Sequence, residues 1–325
     1  MTTHRYLALP LLLAAFATPA AEPYADRADV RAFVTDMADQ HGFEPDRLVA
    51  LFSKAKPDPI VLKAIAPPAD PGVRSWRAYR EHFVERTRIG RGLDFWHDHA
   101  DALTRAEATY GVPAEIIVAI IGIESIYGRH AGNFQTFNAL TNLSFDYPPR
   151  AKRFRRELEA LLLLAREEDR DPWSYRGSYA GAIGMVQFMP SSMRHYAVDF
   201  DGDGRIDLTD DADDAIGSVA RFLRAHGWLP GQLIALPVSV DGDPSALLAE
   251  GLRPWRLPAE MAFAGVQTSG IPAQPAALIE FVTPGEKTEY RLGFNNFYAI
   301  TRYNQSSFYA AAVMDLAAVL RAARP

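Results

Sequence analysis

Apolar positions recur at helical spacing along most of the chain. Val30, Phe33, Val34 and Met37 form one stripe that stops at His41 and Gly42, and Leu48, Val49, Leu51 and Phe52 form a second after Pro45. A proline-rich break (Pro57, Pro59, Pro67, Pro68, Pro71) leads to a helix carrying Trp76, Tyr79, Phe83 and Val84. Another carries Phe95, Trp96, Leu103 and Tyr110. In the stretch 112–128 the apolar residues leave no polar face: Ile116, Ile117, Ile120, Ile121 and Ile123 cover nearly the whole circumference, which predicts a buried helix. Pro113 suits its first turn, Glu115 its positive end and Gly128 its stop. Leu158, Leu161, Leu162 and Leu164 mark a further helix that begins after Pro148 and Pro149. Beyond Gly227 and Trp228 the pattern changes. Between 229 and 289, prolines and glycines punctuate short runs at 235–240, 277–282 and 289–292, the signature of strands in a small β element. Helical pattern returns at 307–321, after an aromatic stretch at 294–303. The class is α+β, mainly α.

Composition narrows the setting. A chain of 325 residues, 48% apolar and 23% charged, has a real core and room for one large domain or two to three ordinary ones. The net charge of −6 and a single basic cluster (Arg150, Lys152, Arg153, Arg155, Arg156), which reads as a solvated helix face, make nucleic acid an unexpected partner. The absence of cysteine excludes disulfides, a cysteine nucleophile, thiolate metal sites and lipidation at an amino-terminal cysteine. His4 and Arg5, an apolar stretch at 6–16 and the small residues Ala17, Thr18, Pro19, Ala20 and Ala21 have the order of a secretory signal, cut after Ala20 or Ala21. An uncut amino-terminal anchor is the alternative. No later segment is long and apolar enough to span a bilayer.

Three segments carry chemistry. Glu124 lies near the end of the apolar helix. Burial would favour its neutral form and make it a candidate general acid; the other reading is a helix-end Glu that reaches solvent or a buried Arg. In the segment 177–192, Gly177, Gly181 and Gly184 permit close backbone approach. Gln187 offers an amide that can read hydroxyl and N-acetyl groups, and Phe188 and Met189 offer apolar surface for a sugar face. A tight packing loop would look the same. In the third, Asp199, Asp201, Asp203, Gly204, Arg205 and Ile206 fit the start of an EF-hand loop: three side-chain oxygens, a glycine at the sharp turn, a backbone carbonyl from Arg205 and an apolar position. Hard oxygen ligands point to Ca2+ rather than zinc or copper. The usual closing Glu is absent, and Asp210, Asp213 and Asp214 compete for its place. No G-x-S-x-G or P-loop is present, and His97 and His99 lack a matching metal spacing.

Together these segments, with Gly111 to Val118, the run Gly122, Ile123, Glu124, the run Ala215 to Ala220 and the run Asn296 to Asn304, resemble the lytic murein transglycosylase B family from about Trp76 to the carboxyl end. The resemblance implies a lysozyme-like core with a helical domain, an EF-hand-like calcium loop and a small β domain. It maps as a signal peptide at 1–20, a helical domain at 21–110, the catalytic core at 111–228 with its loop at 199–214, the β domain at 229–290 and a closing segment at 291–325. It implies Glu124 as the single catalytic acid and base, and Tyr79, Arg150, Ser178, Gln187, Phe188, Tyr303, Asn304 and Tyr309 as groove residues. A structural Ca2+ would sit on Asp199, Asp201, Asp203, Arg205 and, by the match to the following Ala215, Ile216 and Gly217, Asp214, with Asp213 still open. The expected partners are peptidoglycan glycan strands, with other cell-wall enzymes as candidates, and the expected location is the periplasm, soluble. The expected reaction cleaves the bond between N-acetylmuramic acid and N-acetylglucosamine and closes a 1,6-anhydro ring without water. Most glycosidases use two carboxylates, and Asp146, the nearest loop carboxylate, carries no signature. Hydrolysis on the same fold, or calcium-stabilised wall binding without catalysis, are the competing readings.

Overall fold

A computed structural model describes residues 22–67 and 74–324; the signal-peptide expectation at 1–20 lies outside them. The chain forms two compact units, one ending at Lys56 and the other beginning at Pro57, so the helices of the expected 21–110 segment are shared between them. In the first unit, α1 (Ala28–His41) and α2 (Pro45–Phe52) follow the two apolar stripes. Val30, Phe33, Val34 and Met37 are buried, and the rings of Phe33 and Phe52 meet edge to face at 6.0 Å.

The second unit opens with α3 (Pro59–Ile65), a helix inside what the sequence presents as a proline-rich break. Its start is local chemistry: the Asp58 carboxylate accepts the amides of Ile60 and Val61, and Pro59 needs no amide partner in the first turn. Helix α4 (Trp76–Phe83) follows. The next expected helix is two, α5 (Arg86–Asp98) and α6 (Ala100–Tyr110), broken at His99 where φ is −117° and ψ 29°. Glu85 caps α5 by accepting the amides of Thr87 and Arg88.

Helix α7 (Ala114–Ser125) is buried on all sides, as its apolar circumference predicts, and α5, α6, α11 and α14 pack against it. A two-strand ribbon, β1 (Phe134–Gln135) with β2 (Arg176–Gly177), brackets α8 (Thr136–Phe145) and α9 (Ala151–Glu167). Helices α10 (Pro190–Tyr196) and α11 (Ala212–Ala225) complete the core around the aspartate loop.

Strands β3 (Ala235–Val238), β4 (Ala277–Phe281) and β5 (Glu289–Gly293) occupy the three runs marked by alternation and form an antiparallel sheet in the order β3-β5-β4. The short helix α12 (Ser245–Leu248) lies between β3 and β4. Leu236 and Leu278 both pair with Leu292 in register, over a small core that includes Leu247, Met261 and Phe294. The aromatic stretch after the sheet holds a further helix, α13 (Asn295–Thr301), before α14 (Ser307–Ala323). Seven residues are too few for a period to show; the buried Asn296 fixes α13 by bonding the backbone of Leu229 and Gln232.

Asp315 on α14 accepts Arg80 from α4 at 2.7 Å and Arg291 from β5 at 2.8 Å, which ties sheet and helices into one block. Among the described residues no single helix is long and apolar enough to cross a membrane.

Candidate active site

Glu124 stands in the last turn of α7, where the apolar helix meets α14. Its carboxylate oxygen accepts the Tyr309 hydroxyl at 2.6 Å. Burial pushes its pKa from 4.5 up to about 7, and the Tyr309 hydrogen bond pulls back only part of that rise. Glu124 keeps partial exposure to solvent, and among the described residues its carboxyl is bonded by Tyr309 rather than paired with an arginine. Three tyrosines surround it. Burial raises the pKa of Tyr309, Tyr303 and Tyr79, and the charge of Glu124 raises each further. Tyr303 and Tyr309 stack with centroids 6.3 Å apart, and Tyr79 is wedged among Trp76, Phe83 and Phe308.

The helix does not stop at Gly128. It ends at Ser125, and Ile126 and Tyr127 take φ of 52° and 57°, a left-handed conformation that is costly for a β-branched residue. This reversal is held from beneath. Arg88, 5% exposed, donates to the carbonyls of Gly122, His82 and Phe83, and the Tyr127 hydroxyl donates to the Arg88 carbonyl. Neither Arg88 nor Ser125 stands out in the sequence, because each makes a bond to a residue remote in the chain, 34 and 60 positions away.

The segment 177–192 folds back on itself. The Ser178 amide donates to the Ala182 carbonyl at 2.8 Å, the Ser178 hydroxyl accepts the Ala182 amide at 3.1 Å, and Ile183 pairs with both Gly177 and Phe188. Gln187 has φ of 50°, and its amide nitrogen donates to the carbonyls of Ala131 and Gly184, so that side chain is fixed rather than searching. Phe188 is only 2% exposed, with Phe222 and Tyr303 against its ring. It shapes the wall rather than presenting an open face. The Tyr303 hydroxyl donates to the Val186 carbonyl at 2.7 Å, joining this segment to the tyrosines around Glu124. A cavity of about 410 Å3 is lined by Gln187, Phe188 and Tyr303 with Arg153, His195 and Arg302. Arg150, at the start of α9, and Asn304, between α13 and α14, are exposed, and neither is hydrogen-bonded to Glu124. Asp146 caps α8 and is not among the groups that act on the Glu124 carboxyl.

In the aspartate loop, Asp199, Asp201 and Asp203 bring carboxylate oxygens within 4.8 Å of one another. At that spacing the like charges repel one another, so the cluster suits a cation. Gly204 has φ of 89°, the turn that the motif demands, and its amide and that of Gly202 bind the two oxygens of Asp199. Asp214 lies outside the three-carboxylate cluster. It is 2% exposed and accepts the amides of Phe200 and Asp207, one near the start of the loop and one in its middle. Asp213 faces Arg105 at 3.1 Å and His99, while Asp210 is exposed.

The profile of the Transglycosylase SLT domain matches residues 25–318. The membrane-bound lytic murein transglycosylase B of Escherichia coli (strain K12) is 41% identical over 316 residues, which cover 93% of this chain and 85% of that protein. The crystal structure of the soluble lytic transglycosylase SltB1 from Pseudomonas aeruginosa is 46% identical and superposes with a TM-score of 0.84, covering 91% of this chain and 99% of that one. The Escherichia coli lytic transglycosylase Slt35 in complex with calcium is 41% identical with a TM-score of 0.79, covering 94% and 95%.

Proposed function

Because the chain belongs to the transglycosylase SLT domain family, we propose that Glu124 is the single acid and base of a peptidoglycan-cleaving reaction. The protein is a peptidoglycan lytic transglycosylase with a lysozyme-like fold. The observation that carries the mechanism is one carboxyl with its pKa near 7, bonded by a tyrosine hydroxyl, ringed by tyrosines and, among the described residues, acted on by no second carboxylate.

The neutral Glu124 gives its proton to the oxygen linking N-acetylmuramic acid to N-acetylglucosamine, and the bond from C1 to that oxygen breaks. The substrate's own N-acetyl group stabilises the cation left at C1, the part a second carboxylate plays elsewhere. Glu124, now charged and steadied by Tyr309, takes the proton of the muramoyl C6 hydroxyl, whose oxygen closes on C1. The enzyme regains its proton, and the products are a free 4-hydroxyl and a 1,6-anhydro ring. A pKa near 7 serves both halves of this cycle, since the group must be acid and base in turn.

The fixed amide of Gln187, with Ser178, Phe188, Tyr79 and Tyr303, forms the groove wall in this reading, and Arg150 and Asn304 meet the strand at its exposed edges. The aspartate loop would take Ca2+ on Asp199, Asp201, Asp203 and the Arg205 carbonyl. Asp214 would close the site, a reading supported by its carboxylate holding the loop backbone at both Phe200 and Asp207. Bound there, the ion would neutralise the carboxylates and order the loop. The export pattern at residues 1–20 supports a periplasmic place, where glycan strands and other cell-wall enzymes are within reach. Side-by-side digestion of peptidoglycan by the wild type and Glu124→Gln tests the assignment.

A further inference from the structure

We propose that Ser125 is a positioning residue that sets Glu124 at the end of α7 and couples it to the aspartate loop. This rests on Glu124 being the acid and base. Ser125 is 1% exposed and is the last residue of the helix. Its hydroxyl donates to the Met185 carbonyl at 2.6 Å and accepts the Gly128 amide at 2.9 Å. The Gly128 bond spans the left-handed pair Ile126 and Tyr127, and the Met185 bond ties that turn to the 177–192 segment; such a conformation persists only where the surroundings over-determine it. The Ser125 carbonyl adds a third hold by accepting the His130 amide at 2.8 Å.

The other end of the connection is Met185. Its carbonyl takes the Ser125 hydroxyl, while its amide donates to the Leu208 carbonyl at 2.7 Å. The approach is close: Gly184 has φ of 73°, and a Cβ there would run into that same carbonyl. Leu208 follows Asp207, whose amide is held by Asp214. A continuous set of bonds therefore runs from Asp214 through Asp207, Leu208 and Met185 to Ser125, the neighbour of Glu124. Serine is the smallest side chain that can donate and accept at once. Alanine would leave a buried carbonyl and the Gly128 amide without their partner, with the strained turn free to relax. The hydroxyl touches no substrate in this arrangement; its effect is on where the Glu124 carboxyl stands.

The test uses full-length Ser125→Ala and Ser125→Cys, turned over on soluble glycan strands of alternating N-acetylglucosamine and N-acetylmuramic acid, with and without calcium. For Ser125→Ala the expected result is a kcat at least ten-fold lower with KM within two-fold of wild type, and Ser125→Cys, a weak donor of similar shape, falls between. Calcium should raise the melting temperature of Ser125→Ala as much as that of wild type, yet raise kcat only in wild type. An unchanged kcat, a loss confined to KM, or the same calcium response of kcat in both proteins would overturn the proposal. If Ser125→Ala does not fold, Ser125→Cys carries the same comparison. Glu124→Gln separates the two claims: its retained activity would remove the premise, whereas an inactive Glu124→Gln beside an unimpaired Ser125→Ala would remove only the role of Ser125.

Discussion

The Glu124 carboxyl owes its chemistry to an imbalance between two forces. Burial favours the proton, the Tyr309 hydroxyl favours the charge, and burial wins, leaving the pKa near 7. Activity that begins with proton donation should therefore be full below this value and fall as pH rises through it. Tyr309→Phe removes the bond that favours the charged form, so the alkaline limb of kcat should move to higher pH by about one unit, the size of one hydrogen bond to a charged group. A limb that stays in place or moves down would contradict this account of the pKa. The carboxylate itself is legible in the sequence, because a Glu in the last turn of an isoleucine-rich helix breaks the pattern. The groups that hold it are not. Arg88 reaches Gly122 and Ser125 reaches Met185 across 34 and 60 positions, and no local spacing encodes such a contact.

Helices with a long apolar stripe, such as α1, α9 and α14, are legible because period and burial agree over several turns, and the three strands because alternation sits between turn residues. Short elements escape for a physical reason. Helix α3 depends on the Asp58 cap, and α13 on one buried asparagine; neither has enough turns to show a face. What joins the elements is also invisible in sequence. Asp315 holds Arg80 and Arg291 at once, so that α4, with its Tyr79, and the sheet are fixed to α14. Asp315→Asn removes the shared anion and should lower the stability measured by urea unfolding by about 3 kcal/mol, as for a largely buried ion pair losing one partner. An unchanged midpoint would show that these contacts are incidental.

For the molecule as a whole, the calcium site proposed in the aspartate loop should link ion binding to stability. Its first half is readable because Asp199, Asp201, Asp203 and Gly204 are local to one turn. The role of Asp214 is not, since it depends on the loop closing over its own start. Calcium at one hundred times its dissociation constant should add about 2.7 kcal/mol and raise the melting temperature by several degrees. Asp199→Asn should lose that response; a melting temperature indifferent to calcium in the wild type would refute the site. The central claim is that one carboxyl acts twice and water not at all. It is tested most directly by the mass of the muropeptides released from peptidoglycan. Wild type should release chains that end in 1,6-anhydromuramic acid, one water lighter than the hydrolytic product, and Glu124→Gln should release none. Reducing-end muramic acid from the wild type, or undiminished release by Glu124→Gln, would contradict it.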